Sequence, residues 1–535
     1  MKKVIVVILS AWAAVTARAA LPQPDLIARV HYAGDQRISA DANFHNFTNE
    51  FCSAEAQALA SQTLDKLARA PYSWIKVKTA AGATDGVALL RPLGNDLLAS
   101  EWFFEARDTA NGSPEYALAI RLNDARARVW SRDLAAVLRS WTGMPLPADS
   151  AGNWQLKKHV APNLVTFSRR GEWVLVDCGQ DTLSLGERVL AEANREGADT
   201  NWLTLDVNWP RLEQSFPELK ALDLPETQAA VFATQTGLHV NGNLYFPQNL
   251  EASLPAWQIP TNAIHEPFTS FTAARGFASW LGSRAWAAPY SISPTPDQCY
   301  IWGSSGMPLA TFTAVPVPNS AEALEQVNVR LQQIFSVPRP ENPIASTFRV
   351  TTANGQVHLE GMPFASPFVQ AVKSPSGQFL LAGGFPNTPR GRPLPAELFQ
   401  VLGQRNLMYY HWEITAQRLP QMLQLSQLSL LLSWKKQLDS KSAAFNWLHK
   451  IGPTLGNTVT EAYQTAPDQI TFKRSAPGGL TAFELLALAN WLEAPDFPGC
   501  DLRMPARNPL RFKHFNGQPP GAMPRPMAMP APTPH

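Results

Sequence analysis

The chain runs through one succession of patterns twice. A segment starting at Pro114 (PEYALAI) leads into a helical pattern ending near Trp141. A segment starting at Pro308 (PLATFTAV) leads into one ending near Phe335, an offset of 194 (308 − 114). Two hairpin patterns follow, VTFSRRGEWVLVDCG at 165–179 and VQAVKSPSGQFLLAGG at 369–384, turning near Gly171 and Gly377, 206 apart (377 − 171). Then Asn201–Asp206 (NWLTLD) matches Asn406–His411 (NLMYYH), 205 apart (406 − 201), each ahead of a helix carrying a proline, Pro210 or Pro420. Last, ATQTGLHVNGNLYF (233–246) and AYQTAPDQITF (462–472) share A-x-Q-T before a strand, 229 apart (462 − 233). The tetrapeptide APYS also occurs twice, at Ala70–Ser73 and Ala288–Ser291, 218 apart (288 − 70). A single shared tetrapeptide is expected by chance in a chain of this length. The unbroken order predicts an internal duplication of a unit of roughly 200 residues. The longer last offset is assigned to extra residues in the second copy, around the Leu-rich stretch 419–434.

The unit reads as α+β, an antiparallel sheet with helices. Around residue 104 the pattern alternates, with Trp102, Phe104 and Ala106 on one face and Phe103, Glu105 and Arg107 on the other. Asn241-Gly242 is a strong hairpin-turn signal. Ser53 caps a helix reaching Arg69, and APYS is read as the corner where that helix meets a strand, because Pro ends helices. A helix starts at Asn319 with Glu322 as capping-box partner and puts Leu324, Val327, Leu331, Ile334 and Phe335 on one face. Another starts at Thr481 with Glu484 as partner and runs to Leu492, apolar nearly all round and therefore expected to be buried.

Lys2 and Lys3, the apolar run Val4–Thr16 and the A-x-A site Ala17-Arg18-Ala19 form a secretory signal, with cleavage between Ala19 and Ala20. The expected organisation is a signal peptide at 1–19, copy one at 20–256, copy two at 257–497 and a tail at 498–535. From Asp501 the tail holds nine Pro and five Lys/Arg, too few core-forming residues to fold, and should be disordered. Its Met523, Met527, Met529 and His535 are soft ligands that could hold Cu(I), with a solvated tether as the alternative. The expected location is periplasmic or extracellular. No later segment has the roughly 18 apolar residues of a membrane helix; Leu419–Trp434 is broken by Gln421, Gln424, Ser426, Gln427 and Ser429. A net charge of +2 leaves no footprint for nucleic acid. Export permits disulfides. Cys52–Cys178 and Cys299–Cys500 are the simplest pairing, and four free thiols are the alternative.

No motif specifies a metal, a cofactor or a catalytic residue. The ten His are scattered with no pair at i, i+4. Trp302-Gly-Ser-Ser-Gly-Met307 approaches a nucleophile elbow around Ser304 but has Met where Gly is required, and reads as a turn. Glu101, Glu105 and Asp108 cluster on one strand; Glu101 and Glu105 share a face, as an acid/base pair would, but read more simply as a solvated strand face. Asp177 and Asp181 flank Cys178 and read as a strand end and a cap. The 17 Trp raise the prospect of sugar stacking, against the simpler reading that most are core.

The stretches PLATFTAVPVPNSAEALEQVNVRLQQIF and GGLTAFELLALANWL resemble exported bacterial proteins of unknown function with a duplicated α+β unit. The resemblance implies export and the tandem fold, and no activity. Together these readings point to an exported, non-catalytic binding or scaffold protein with an unidentified protein or glycan partner. The Leu-rich stretch 419–434 is its candidate docking element. The alternatives are a glycan-binding module using exposed Trp and Tyr, or a hydrolase whose site residues lie far apart in sequence.

Overall fold

In the computed structural model, residues 25–499 are described except 76–85, 110–113, 158–163, 181–182, 196–199, 216–223, 251–253, 283–291, 306–309, 336–347, 363–364, 386–390 and 434–440. The signal segment, Asp181, the second APYS, the sites at Gly306 and Met307, Cys500 and the Pro-rich tail therefore lie outside the described residues. The fold is α+β around one 19-stranded sheet.

The first nine strands are β1 (Leu26–Tyr32), β2 (Trp102–Asp108), β3 (Pro114–Arg121), β4 (Trp154–Lys157), β5 (Leu164–Arg170), β6 (Trp173–Gly179), β7 (Leu203–Val207), β8 (Glu226–Thr234) and β9 (Gly237–Tyr245). The other ten are β10 (Phe268–Arg275), β11 (Gln298–Ser304), β12 (Thr311–Val317), β13 (Arg349–Ala353), β14 (Gln356–Glu360), β15 (Phe368–Ser374), β16 (Gly377–Gly383), β17 (Leu407–Ile414), β18 (Asn457–Ala466) and β19 (Gln469–Ala476). All recorded pairings are antiparallel. On one side of the sheet they run β4-β5-β6-β3-β2-β1-β7-β8-β9. Then β9 pairs with β19, and the order continues β19-β18-β17-β10-β11-β12-β16-β15-β14-β13. Read outward from the β9–β19 junction, the two flanks use the same order of connections, with β13 as the one addition. The described residues form one compact unit.

In-register neighbours share a sheet face. On the back face, the helices Gly86–Ala99 and Asp124–Thr142 bury Leu93, Trp130 and Leu138 against Ile120, Val174 and Phe167. The helix Ser320–Phe335 covers Val317 and Leu380. Between these, helices Ala54–Ile75, Thr415–Ser433, Ala443–Ile451 and Ala482–Glu493 share a cluster centred on Leu419, Leu448, Ile451 and Leu485. The sheet is tied to that cluster by Arg474, which pairs with Glu484 at 2.8 Å, and by Glu413, which accepts from the Ala482 N–H at 2.7 Å. No helix among the described residues is long and apolar enough to cross a membrane.

Several local expectations hold. β5–β6 and β15–β16 are hairpins, and Ser53 Oγ caps its helix through the Ala56 N–H at 3.2 Å. Thr481 and Glu484 make the full capping box. Its helix nevertheless buries one side only, with Leu485 1% and Phe483 67% exposed, because it lies on the outer layer of helices rather than between sheets. Two turn readings fail. Pro71 lies inside the helix Ala54–Ile75, and the next described element is the helix from Gly86, so the first APYS is not a helix-to-strand corner. Asn241-Gly242 lies mid-strand in β9; the turn is at 234–237, with Gly237 at φ 141°. Gly242 is needed where it is because a Cβ there would fall 2.1 Å from Phe472 Cζ on β19.

Candidate binding face

The front face divides into three zones. Over β2, β3 and β6 the helix Leu185–Ala193 buries Leu185 and Val189 against Ala117, Ala119 and Leu175. In the other half, the helix Ala396–Leu402 and the segment around Trp257–Ile264 cover an aromatic core of Phe271, Tyr300, Trp302, Phe312, Phe379 and Tyr410. Between them, one row crosses the sheet in register: Thr204, Ala230, Asn241, Lys473 and Glu461. The next row is Asp206, Gln228, Asn243, Thr471 and Tyr463. Asn241 and Lys473 are exposed, Thr204, Asp206, Tyr245, Gln469, Thr471, Glu461 and Tyr463 are half-buried, and Ala230, Gln228 and Asn243 are buried. This strip of β7, β8, β9, β19 and β18 is a polar floor across the junction of the two flanks.

The floor is pre-set by its own bonds. Asn243 Oδ1 accepts from Gln469 Nε2 at 3.0 Å and from Thr471 Oγ1 at 2.7 Å. Tyr463 donates its hydroxyl to Glu461 Oε2 at 2.7 Å, and Lys473 Nζ lies 6.0 Å from the Tyr463 ring. These bonds span β9, β19 and β18, so the amide and hydroxyl groups keep fixed positions without a ligand, which lowers the entropic cost of binding one.

At the rim of the first half sits a buried ionic cluster. Arg29 Nε donates to Glu105 Oε2 at 2.7 Å and Arg188 Nη2 to Glu105 Oε1 at 2.8 Å, and Arg107 pairs with the same carboxylate. Burial acts to raise the Glu105 carboxyl, but Arg29 and Arg107 outweigh it and hold it below its ordinary value. Next to Arg29 on β7, burial pushes Asp206 up to about 6, and burial with the nearby Asp206 charge pushes Glu226 up to about 7. On β6, burial first and Glu115 second push Asp177 up to about 7. The corresponding zone of the other half holds Ala273, Tyr300, Leu381 and Tyr410 instead of charges.

The acids singled out from sequence are placed as follows. Glu105 is 5% exposed, so the solvated-face reading is wrong for it; the alternation was right, but helix Leu185–Ala193 covers that face. Glu101 Oε1 meets His31 Nε2 at 3.0 Å and Arg37 Nη1 at 2.9 Å. Burial opposes its charge, yet His31, Arg37 and Arg121 hold it below the usual carboxylate range, so it carries no proton to give at neutral pH. Asp108 pairs with Arg211. The three acids serve three separate ion pairs and do not converge on one point.

Ser304 closes β11 and its N–H bonds the Ala310 carbonyl at 2.8 Å, a hairpin position rather than a strand-to-helix turn. Gly303 beside it leaves room for the buried Arg418 guanidinium, 2.5 Å from where a Cβ would stand. Among the described residues no disulfide joins Cys52, Cys178 or Cys299; Cys52 is exposed and Cys178 buried. No group of three His, Cys, Asp or Glu among the described residues is arranged to hold a metal. Most described Trp are core, Trp130, Trp154, Trp173, Trp209 and Trp302 among them, whereas Trp280 is 47% exposed. The polar floor escaped sequence reading because its members lie on strands far apart in the chain; only the β9–β19 register brings Asn243 to Thr471. Comparison with protein families, curated proteins and solved structures finds no match to this chain.

Proposed function

We propose that this is an exported, non-catalytic binding or scaffold protein, made of two fused copies of one α+β unit, with the polar floor at their junction as its binding face. The observation that carries this reading is the floor itself: amide, hydroxyl and aromatic groups on five strands, held in position by bonds on β9, β19 and β18, with no described helix over them. The repeated order of connections on the two flanks supports the duplication, and the Lys2-Lys3, apolar run and A-x-A pattern supports export. The ion-paired states of Glu101, Glu105 and Asp108 weigh against a hydrolase built on them. Tyr245 and Tyr463, beside Asn241 and Thr471, favour a glycan over an apolar ligand, since ring faces stack on sugars while amides and hydroxyls meet their hydroxyls.

The test is affinity electrophoresis of the secreted protein in gels carrying neutral and weakly acidic polysaccharides, beside Asn241→Arg. Asn241 is exposed, so the substitution blocks the floor without disturbing the core. Retardation by one polymer, lost in N241R at unchanged melting temperature, is the expected result. Retardation unaffected by N241R would place binding elsewhere. Shortening of the polymer by the protein would overturn the non-catalytic reading.

A further inference from the structure

A second concave site lies in the later half, bordering the floor where Gln404 meets Tyr463. It is a cavity of about 490 Å³ where the start of β10–β17 pairing, the end of helix Ala396–Leu402 and the segment from Leu254 meet. That volume is within the range of small-molecule sites, about 300–1,000 Å³. Its apolar wall is formed by Leu254, Trp257, Ile259, Phe399 and Leu402. Phe399 is 39% exposed, an aromatic ring left open at the mouth.

The polar part of the wall is cationic. Arg275, 4% exposed, donates to the carbonyls of Leu407 at 2.8 Å, Pro255 at 2.6 Å, Gln404 at 3.1 Å and Arg405 at 2.5 Å. Those bonds use four of the five N–H groups of a guanidinium. The Arg275 guanidinium also stacks over the Trp257 ring at 4.6 Å. Arg405 adds an exposed guanidinium at the rim. Among the described residues no carboxylate pairs with either arginine; Asp297, the acid nearest Arg275 in effect, is bonded to the Ala278 N–H at 2.9 Å. The Trp257 indole N–H, in the same wall, is a buried donor without a partner among the described residues. A buried positive charge satisfied by carbonyls alone, beside an apolar hollow and an unpaired rim arginine, lacks an anion.

We propose that this cavity binds a small apolar anion, an aryl or medium-chain acyl carboxylate. Its apolar body lies along Trp257, Leu402 and Phe399, and its carboxylate meets the Arg405 and Arg275 end. The apolar wall has no counterpart in a phosphate or a sugar, and the two arginines exclude a cation. The site adjoins the polar floor at Tyr463, but Arg405 and Phe399 are not floor residues, so variants there and Asn241→Arg test the two sites separately.

Calorimetric titration of the full secreted chain tests it with three probes: indole-3-acetate, decanoate, and tryptamine as the cationic counterpart of the first. Indole-3-acetate or decanoate is expected to bind, with tryptamine at least about tenfold weaker. R405A and F399A, both at exposed positions, are each expected to weaken binding about fivefold or more, and R405K to recover most of the loss from R405A, with melting unchanged in all three. Failure of both anions to bind at millimolar concentration overturns the proposal. So does equal binding of tryptamine, or binding that neither R405A nor F399A alters.

Discussion

At the scale of single residues, the carboxyls that folding pushes up to about 6 or 7, Asp177, Asp206 and Glu226, all lie in the first half. Glu115 Oε1 accepts from the N–H groups of Ser184 and Leu185, both at 2.7 Å, and so caps the helix Leu185–Ala193. A carboxylate there is favoured by the unpaired N–H groups of the first turn. Asp177 shares that corner, pressed against Gly186 so closely that a Cβ on Gly186 would stand 2.2 Å from its Oδ2. Two carboxylates in one buried corner cannot both ionise freely, and Asp177 is the one pushed up, to about 7. An acid whose pKa is raised by folding favours the native state fully below its unfolded value near 4. That contribution is lost as pH rises through the folded value, here through about 6 for Asp206 and about 7 for Asp177 and Glu226. Glu101 and Glu105 are lowered and act oppositely, their contribution fading as pH falls below the ordinary carboxylate range. The protein should therefore melt highest near pH 5 and progressively lower toward pH 8. Asp177→Asn, which keeps the shape without the charge, should flatten that decline and raise stability at pH 8 by on the order of 1–3 kcal/mol. Calorimetry of both proteins from pH 5 to 8 checks this; equal slopes would exclude Asp177 as the cause.

At the scale of elements, much was legible where the signal is local. The Thr481–Glu484 capping box, the strand alternation at 102–107 and the hairpins near Gly171 and Gly377 depend on neighbours within a few residues, and the structure contains each. The failures have the opposite origin. Asn241-Gly242 has the composition of a turn, yet β9 runs straight through it because Phe472, some 230 residues onward (472 − 242), lays its ring over the glycine. Likewise Pro71 is absorbed into the helix Ala54–Ile75, whose packing outweighs the local cost of a proline. The polar floor belongs with these failures, since each of its strands alone is an ordinary polar alternation. Gly242→Val should force the Phe472 ring aside and cost about 1–3 kcal/mol, the usual penalty for overpacking. Thr481→Ala, which removes a cap alone, should cost about 1 kcal/mol. Urea unfolding of the two variants checks both, and an unaffected G242V would mean that Phe472 does not cover that glycine.

At the scale of the whole molecule, the junction of β9 and β19 governs everything proposed for the floor. Like strands meeting antiparallel, at like positions in their own flanks, are the arrangement that two-fold related copies adopt. Under the proposed duplication, the two copies have diverged. One half here carries Arg29, Glu105, Asp177 and Asp206, while the other packs Tyr300, Tyr410 and Leu381 in the equivalent zone and holds the arginine-lined cavity. The floor exists only if the two flanks make one sheet in the observed register, with Asn241 opposite Lys473. Directly opposed residues of an antiparallel pair stand about 4.5–5.5 Å apart at Cα, within disulfide reach. Both residues are exposed, so cysteines there leave the core intact. The most direct measurement is peptide mapping of mildly oxidised N241C/K473C in the intact chain. Near-complete cross-linking of 241 to 473, absent from the parent protein, is the predicted result. Thiols at 241 and 473 that stay unlinked, in a protein that still melts like the parent, would contradict the continuous sheet and the binding face built on it.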